Sequence, residues 1–449
     1  MRRQQHNPKP ISKLAQDKHL LCRVDVDAVA VAAKCGNDKV TYDIDTMIEM
    51  RDRLNEEKTK QDKYYMSDIC PNYMKIQNNV DLYKTMRFTL MDRFGAQLVT
   101  NAWIKYYEIY LHYKLIPESG EFKAFCNAEL PGASICALNH VVKTLRPGLK
   151  FDWRASSLVL GESHADQVSA LGDHYGVWRR NQDKWLMTVA PAATNDARVK
   201  VDGADDLVAP GEVGYINNGD ATDYNNILDY EARIGPGSEF GGVHIYSHDA
   251  GIDVSAIDTE TGESGYNMQE ILDAKIHLGC AIAGFATLRK GGNFVAKQYT
   301  YFETLTHNLI FIYAALFDKF YLCKPLTSKP YNSEIYLVGI GFRGFDKKIR
   351  KVLVDRLNNF NTTPLFARAD LPPLSEIERF STIVFGQQIR FIRENIEFYE
   401  KYGVKLGGFL HALDGIKQEK QAAWLRTYPM KPIHAEDRIP SDKVRDFRS

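Results

Sequence analysis

The chain has 449 residues and a mass of 51.1 kDa, with 44% hydrophobic and 25% charged side chains. That length suits one large domain with appendages or two to three domains, and the composition excludes wholesale disorder and fibrous repeats. Lys+Arg and Asp+Glu number 57 each, so the formal net charge is zero and a uniformly basic nucleic-acid binder is excluded.

The neutral total hides a division. Residues 190–270 carry sixteen acidic and three basic side chains, while 271–351 carry twelve basic and five acidic. Seven cysteines are scattered without a CxxC pair, a pattern of reduced thiols rather than a disulfide framework or zinc knuckle. The opening MRRQQHNPKP has no apolar run behind it, so no secretory leader is expected. Apolar stretches near 278–288 and 309–317 are too short to span a bilayer and are expected to be buried helices, so no membrane partner is anticipated.

In chain order, residues 1–94 read as a partly helical N-terminal extension, with a helical pattern near 45–60. A helix is predicted over about 99–115, then a short strand at 124–127, then the turn Glu129-Leu130-Pro131-Gly132 and a helix to about 144. Residues 151–240 look irregular, with strand candidates at 185–189 and 214–217. From 242 regular alternation resumes: strand 242–247, helix 268–288, strand 293–299, helix 306–317, and strands 319–324 and 334–340. This succession predicts an α/β fold with a mostly parallel sheet and helices on both faces. The link between the last two strands is too short for a crossover helix, so they are expected to be antiparallel. Residues 346–449 read as helical (346–358, 374–402) with a polar tail from about 415, leaving 95–345 as the central domain.

Gly339-Ile340-Gly341-Phe342-Arg343-Gly344 fits GxGxxG, but it follows the final strand rather than opening a βαβ unit. A glycine-rich exit from an edge strand is the better reading. The twelve histidines include no HExxH, so no metal site is expected, and Cys126 and Cys136 lie in apolar, unreactive surroundings.

Four polar residues stand at element ends. Lys105 lies on the helix before the first strand, Asp249 just past strand 242–247, Lys297 at the end of strand 293–297, and Glu334 at the start of the last strand. Each alone is an ordinary surface charge; together they mark one edge of an open α/β sheet, where ligands bind.

The stretches VTNAWIKYYEIY, AFCNAELPGASICALNH, GDATD, HIYSHDAG, KGGNFVAKQYT and KPLTSKPYNSEIYLV resemble, in this order, the FtsJ-type 2′-O-ribose methyltransferases. ASSL, DHYGVW and NQDKWLM bring the chain nearer still to that family's members in large DNA viruses. The resemblance covers about 95–345 and implies a Rossmann-like methyltransferase sheet. It also implies S-adenosylmethionine as cofactor and an RNA substrate, with capped mRNA favoured and other capping or virion proteins as partners. The expected location is the host cytoplasm and the virion. A Lys-Asp-Lys-Glu tetrad does the chemistry in that family, and Lys105, Asp249, Lys297 and Glu334 match it. Glu129, Pro131, Gly132 and Ala133 match the cofactor loop, with Ala133 in place of the family's second glycine; Asp220 matches the acidic residue near the adenine.

The chemistry gives these residue types a rationale. A ribose 2′-hydroxyl must lose its proton as it attacks, and a lysine accepts one only when neutral, against a reference value near 10.4. Burial and the neighbouring Lys105 ammonium are expected to push Lys297 down, with Asp249 and Glu334 as orienters. Lys324, Lys329, Arg343, Lys347, Lys348, Arg350 and Lys351 either contact RNA phosphates or form a solvated face. Trp153, Tyr175, Trp178 and Trp185 are candidates to stack on a base, set against an ordinary core role. Two alternatives stand beside cap methylation: methylation of ribosomal or other structured RNA, and an inactive scaffold that keeps the fold, the reading Ala133 favours.

Overall fold

The strands expected at 124–127 and from 242 onward join two unexpected ones, residues 20–23 and 149–156, in one seven-stranded sheet in the computed structural model, which describes residues 19–36, 45–65, 70, 72–189, 216–254, 265–366, 375–402 and 407–444. The strands are β1 (Leu20–Arg23), β2 (Gly120–Asn127), β3 (Leu149–Ser156), β4 (Val243–His248), β5 (Leu288–Gln298), β6 (Phe317–Lys324) and β7 (Ile335–Phe342). Their order is β1-β6-β7-β5-β4-β2-β3. β3, β2, β4 and β5 pair in parallel, and β7 runs antiparallel between β5 and β6. β6 therefore shares the direction of β5, which makes five strands of one sense; β1 is antiparallel to β6. The mostly parallel sheet with an antiparallel last strand is thus as expected.

Alternation along each strand divides the core between the two faces. Phe125, Tyr246, Phe294 and Leu337 join one apolar cluster with Ile227, Leu278, Ile310 and Ile349 from the helices Tyr224–Ile234, Gly265–Thr287, Thr304–Leu316 and Lys347–Asn358. Ala124, Ile245, Val295 and Val338 join the other with Leu90, Ile104, Leu138 and Trp424 from the helices Met86–Phe94, Asn101–His112, Ala133–Leu145 and Gly407–Thr427. Full burial of a side chain of Val to Phe size contributes roughly 1.5–3 kcal/mol, so the double-sided core is the main source of stability. The apolar stretches near 278–288 and 309–317 lie in this core, almost wholly buried.

Several expectations need correction. Residues 149–156, placed at the margin of an irregular region, form β3, and Tyr224–Ile234 is a helix. The strand predicted at 185–189 reduces to a single parallel bridge, Trp185 to Ala155. The described part of 214–217 forms no strand, and residues 214 and 215 lie outside the described set. β7 is an interior strand, so the glycines at 339–344 leave the middle of the sheet rather than its edge. The expected polar tail is helical to Thr427. Beyond it the chain is anchored along the core, with Ile433 N donating to Phe94 O at 3.0 Å and Gln97 exchanging hydrogen bonds with the backbone of Ile439.

Candidate active site

The register of the sheet places the four polar residues side by side. The last paired residue of β4, His248, lies opposite Ala296 of β5, so Asp249 comes beside Lys297. The first paired residue of β7, Ile335, lies opposite Gln298, which brings Glu334 to the same edge. Lys105 arrives from the helix Asn101–His112, whose first turn is capped by Thr100 Oγ1 accepting from Trp103 N at 3.2 Å. The neighbouring Tyr106 hydroxyl donates to His248 O at 2.8 Å and ties that helix to the end of β4.

Two contiguous ion pairs result. Lys105 Nζ donates to Glu334 Oε1, and both side chains are nearly inaccessible. Lys297 Nζ lies 3.2 Å from Asp249 Oδ1 and donates to Asp249 O at 2.8 Å. It also stands 5.3 Å from the centre of the Tyr299 ring. Burial alone would raise the Glu334 carboxyl; Lys105, Lys297 and Lys324 outweigh it and hold Glu334 at about 2. Asp249 moves up, because burial and the Glu334 charge prevail over the two lysines.

Lys297 departs from expectation. Burial pushes it down, but Asp249, Tyr299 and Glu334 outweigh burial and raise it above the ordinary lysine value. Lys105 is spent on Glu334, so the nearest charge to Lys297 is a carboxylate rather than a second ammonium. In the resting site Lys297 is an ammonium.

At the same carboxyl ends of the sheet, the loops after β2 and β3 meet the segment 216–223. Leu130 N donates to Ser157 Oγ at 2.9 Å, and Val159 N to Asn218 O at 2.7 Å. Gly132 has a φ of 112°, and Ala133 begins the next helix buried among core residues. Glu129 caps that helix: Oε1 accepts from Ile135 N at 2.9 Å, and Oε2 from the Ser134 hydroxyl. Burial pushes the Glu129 carboxyl up to about 7. Pro131 is half-buried beside Gly132. Asp220 accepts from Thr222 N at 2.8 Å through Oδ1 and is half-buried in its turn. This turn packs so closely that a Cβ on Gly279 would lie 1.8 Å from Ala221 O, and one on Gly219 would lie 2.0 Å from Ser157 O. Ala221, Ala250 and Cys280 line the junction with Ala128 and Ile276. The Asp220 carboxylate beside the small apolar cluster of Ala221, Ala250 and Cys280 suits a small polar organic ligand.

The basic residues separate. Lys329 is half-buried on the tetrad's side of the sheet. Lys324 is buried and hydrogen-bonded, so it is not a phosphate contact. Arg343 is at the far end of β7, about 30 Å from Glu334 by the rise along the strand between them. Arg343, Arg350 and Lys351 are paired with Asp318, Glu231 and Asp355. Trp153, Trp178 and Trp185 are buried core residues. Sequence reasoning passed over Tyr299, Tyr106 and Glu108. Tyr299 follows Lys297 by one strand repeat, the one signal that placed it on the same face.

Strand order, the antiparallel β7 and a crevice at the strands' carboxyl ends define a methyltransferase-type α/β fold. Residues 197–342 match the model of the FtsJ-like methyltransferase family. The chain is 32% identical over 388 residues to "Probable methyltransferase EP424R" of an African swine fever virus isolate, covering 85% of this chain and 83% of the relative. It is 27% identical over 349 residues to the mouse "Cap-specific mRNA (nucleoside-2′-O-)-methyltransferase 2", covering 76% of this chain and 40% of that one. A solved ribosomal RNA methyltransferase from Plasmodium falciparum overlaps 55% of this chain and 99% of its own, at 14% identity and a TM-score of 0.28. The chain belongs to the FtsJ-like methyltransferase family.

Proposed function

We propose that the chain is an S-adenosylmethionine-dependent RNA 2′-O-ribose methyltransferase acting on the cap-proximal nucleotide of mRNA. The observation that carries this reading is the convergence of Lys105, Asp249, Lys297 and Glu334, from four separate segments, into two adjoining ion pairs, the first buried and the second partly buried. Similarity to a relative named for cap-specific 2′-O-methylation supports the substrate. Action in the host cytoplasm belongs to this proposal. Residues 95–345 supply the catalytic part, and Pro131, Gly132, Ala133 and Asp220 would hold the cofactor, with Glu129 fixing their loop.

The cofactor supplies an electrophilic methyl group on a sulfonium. The chain supplies alignment and proton handling. Two ammonium and two carboxylate groups cancel, so the site is polar without net charge and receives a neutral ribose hydroxyl. Lys297, protonated at rest, first donates to that hydroxyl and fixes its oxygen; Lys105, locked on Glu334, keeps the second carboxylate from drawing Lys297 aside. Alignment of this kind contributes on the order of several kcal/mol to a bimolecular displacement. Lys297 takes the hydroxyl proton only after its own has passed to solvent, so turnover rises from neutral to alkaline pH. Lys297→Ala is expected to abolish methylation while calorimetric affinity for S-adenosylmethionine stays within threefold. Wild-type turnover in Lys297→Ala would overturn the assignment.

A further inference from the structure

Residues 325–333 join β6 to β7 and deliver Glu334 to the site. Each end of this connection is fastened by a buried charge that the tetrad does not include. At the β6 end the carboxylate of Glu108 accepts from Leu326 N at 2.6 Å, Thr327 N at 3.1 Å and Thr327 Oγ1 at 2.8 Å. At the β7 end Lys324 Nζ, pushed down to about 7 by burial, donates to Asn332 O and Oδ1, both at 2.7 Å, and to Glu334 O at 2.8 Å, three bonds that only its ammonium form supplies together. Glu108 is fully buried and Lys324 is 3% exposed, so neither can touch substrate.

Turn residues alone commonly hold short connections between strands, without buried charge. Burying an ion is costly unless its hydrogen bonds are met. Here the partners lie mainly in the connection, so the charges are satisfied only while it keeps this course. Glu108 also stands one turn beyond Lys105 on the same helix. One helix thus grips the Glu334 side chain with Lys105 and the start of the Glu334 connection with Glu108. His19 Nδ1 at 2.7 Å and Trp424 Nε1 at 3.2 Å complete the Glu108 shell, so segments from both ends of the chain close on it.

Resting on the reading of Lys105 and Glu334 given above, we propose that Glu108 and Lys324 are positioning residues that hold the Glu334 carboxylate in register with Lys105. A misplacement of about 1 Å at a reacting centre can cost on the order of a hundredfold in rate. Lys324→Met keeps the bulk and removes all three donors. Thr327→Val takes one contact from Glu108 with little disturbance elsewhere, and serves if the first variant fails to fold. Lys150→Met, exposed near the start of the edge strand β3, is the control.

The readouts are kcat and KM for RNA and S-adenosylmethionine, together with the titration of the Glu334 carboxyl carbon by 13C NMR. Lys324→Met is expected to lower kcat 30- to 100-fold with KM for S-adenosylmethionine within threefold, and to move the Glu334 titration upward from about 2. Thr327→Val is expected to lower kcat three- to tenfold, Lys150→Met not at all, and Lys324→Arg to recover part of the loss. If the wild type methylates RNA and Lys324→Met matches it with the Glu334 titration unmoved, positioning is overturned. A lower melting temperature with turnover intact overturns it equally. If the wild type methylates no RNA, the functional reading fails, and the Glu334 titration alone then decides the positioning role.

Discussion

Replacing Lys105 with methionine keeps most of the side chain's volume and removes the cation bonded to Glu334. The carboxylate is 11% exposed, so water cannot take the lysine's place. Glu334 is held at about 2 against an ordinary 4.5, and at 1.36 kcal/mol per pH unit this difference corresponds to roughly 3 kcal/mol of folded-state stabilisation of the anion. Lys105 is the leading attractive partner, ahead of Lys297 and Lys324, so most of that amount should disappear with it. The figure agrees with the roughly 3–5 kcal/mol lost when one member of a buried pair is removed. Because the folded-state value lies below the unfolded one, the contribution is fully present above pH 4.5 and is lost as pH falls toward 2. Urea unfolding followed by tryptophan fluorescence should therefore show Lys105→Met about 3 kcal/mol less stable at pH 7, with the gap narrowing below pH 4.5. Adding Glu334→Gln should recover part of the loss, since no charge is then left unpaired. A variant within 0.5 kcal/mol of wild type at pH 7, or losses that simply add in the double variant, would refute the buried-pair reasoning.

Other consequences are as direct. Glu129 has a folded-state value of about 7 above an ordinary 4.5, so it lowers stability progressively as pH rises between those values. Glu129→Gln should remove that slope from urea midpoints measured between pH 5 and 8, by up to roughly 3 kcal/mol; an unchanged slope would count against it. Gly279→Ala forces Ala221 O to move and should weaken S-adenosylmethionine binding at least tenfold by calorimetry, whereas unaltered affinity would show that the 216–223 turn does not shape the cofactor site. Ala133 is packed in the core at the start of a helix rather than free in the crevice. Ala133→Gly should thus leave cofactor affinity within threefold and cost about 0.5–1 kcal/mol in stability; a large gain in affinity would show that the methyl group crowds the cofactor.

Much of this was legible in the sequence because buried strands announce themselves. β4, β5, β6 and β7 are apolar runs between turn signals, and the short link before Glu334 correctly implied an antiparallel pair. β3 was obscured because it is an edge strand whose Lys150, Asp152 and Arg154 alternate with its apolar residues. β1 is four residues long and owes its form to pairing with β6, which no local pattern records. The helix Gly407–Thr427 buries Leu413 and Trp424 but is otherwise polar enough to pass for a tail. The four tetrad positions could be named from their places at element ends. Their pairing could not: that Lys105 binds Glu334, leaving Lys297 to Asp249, depends on register and reverses the expected effect on Lys297. Lys324 and Arg343 look alike as basic residues after a strand, yet one is buried near the tetrad and the other stands at the opposite edge.

The reaction proposed for this chain is methylation of a ribose 2′-hydroxyl of RNA near the cap. Its most direct test is incubation of the wild type with capped and uncapped RNA of one sequence and labelled S-adenosylmethionine, followed by nuclease digestion and mapping of the label. Label is expected on the 2′-oxygen of a cap-proximal nucleotide in the capped RNA, and none with Lys297→Ala. Label on a base, label indifferent to the cap, or no transfer by a folded protein that binds the cofactor would contradict it.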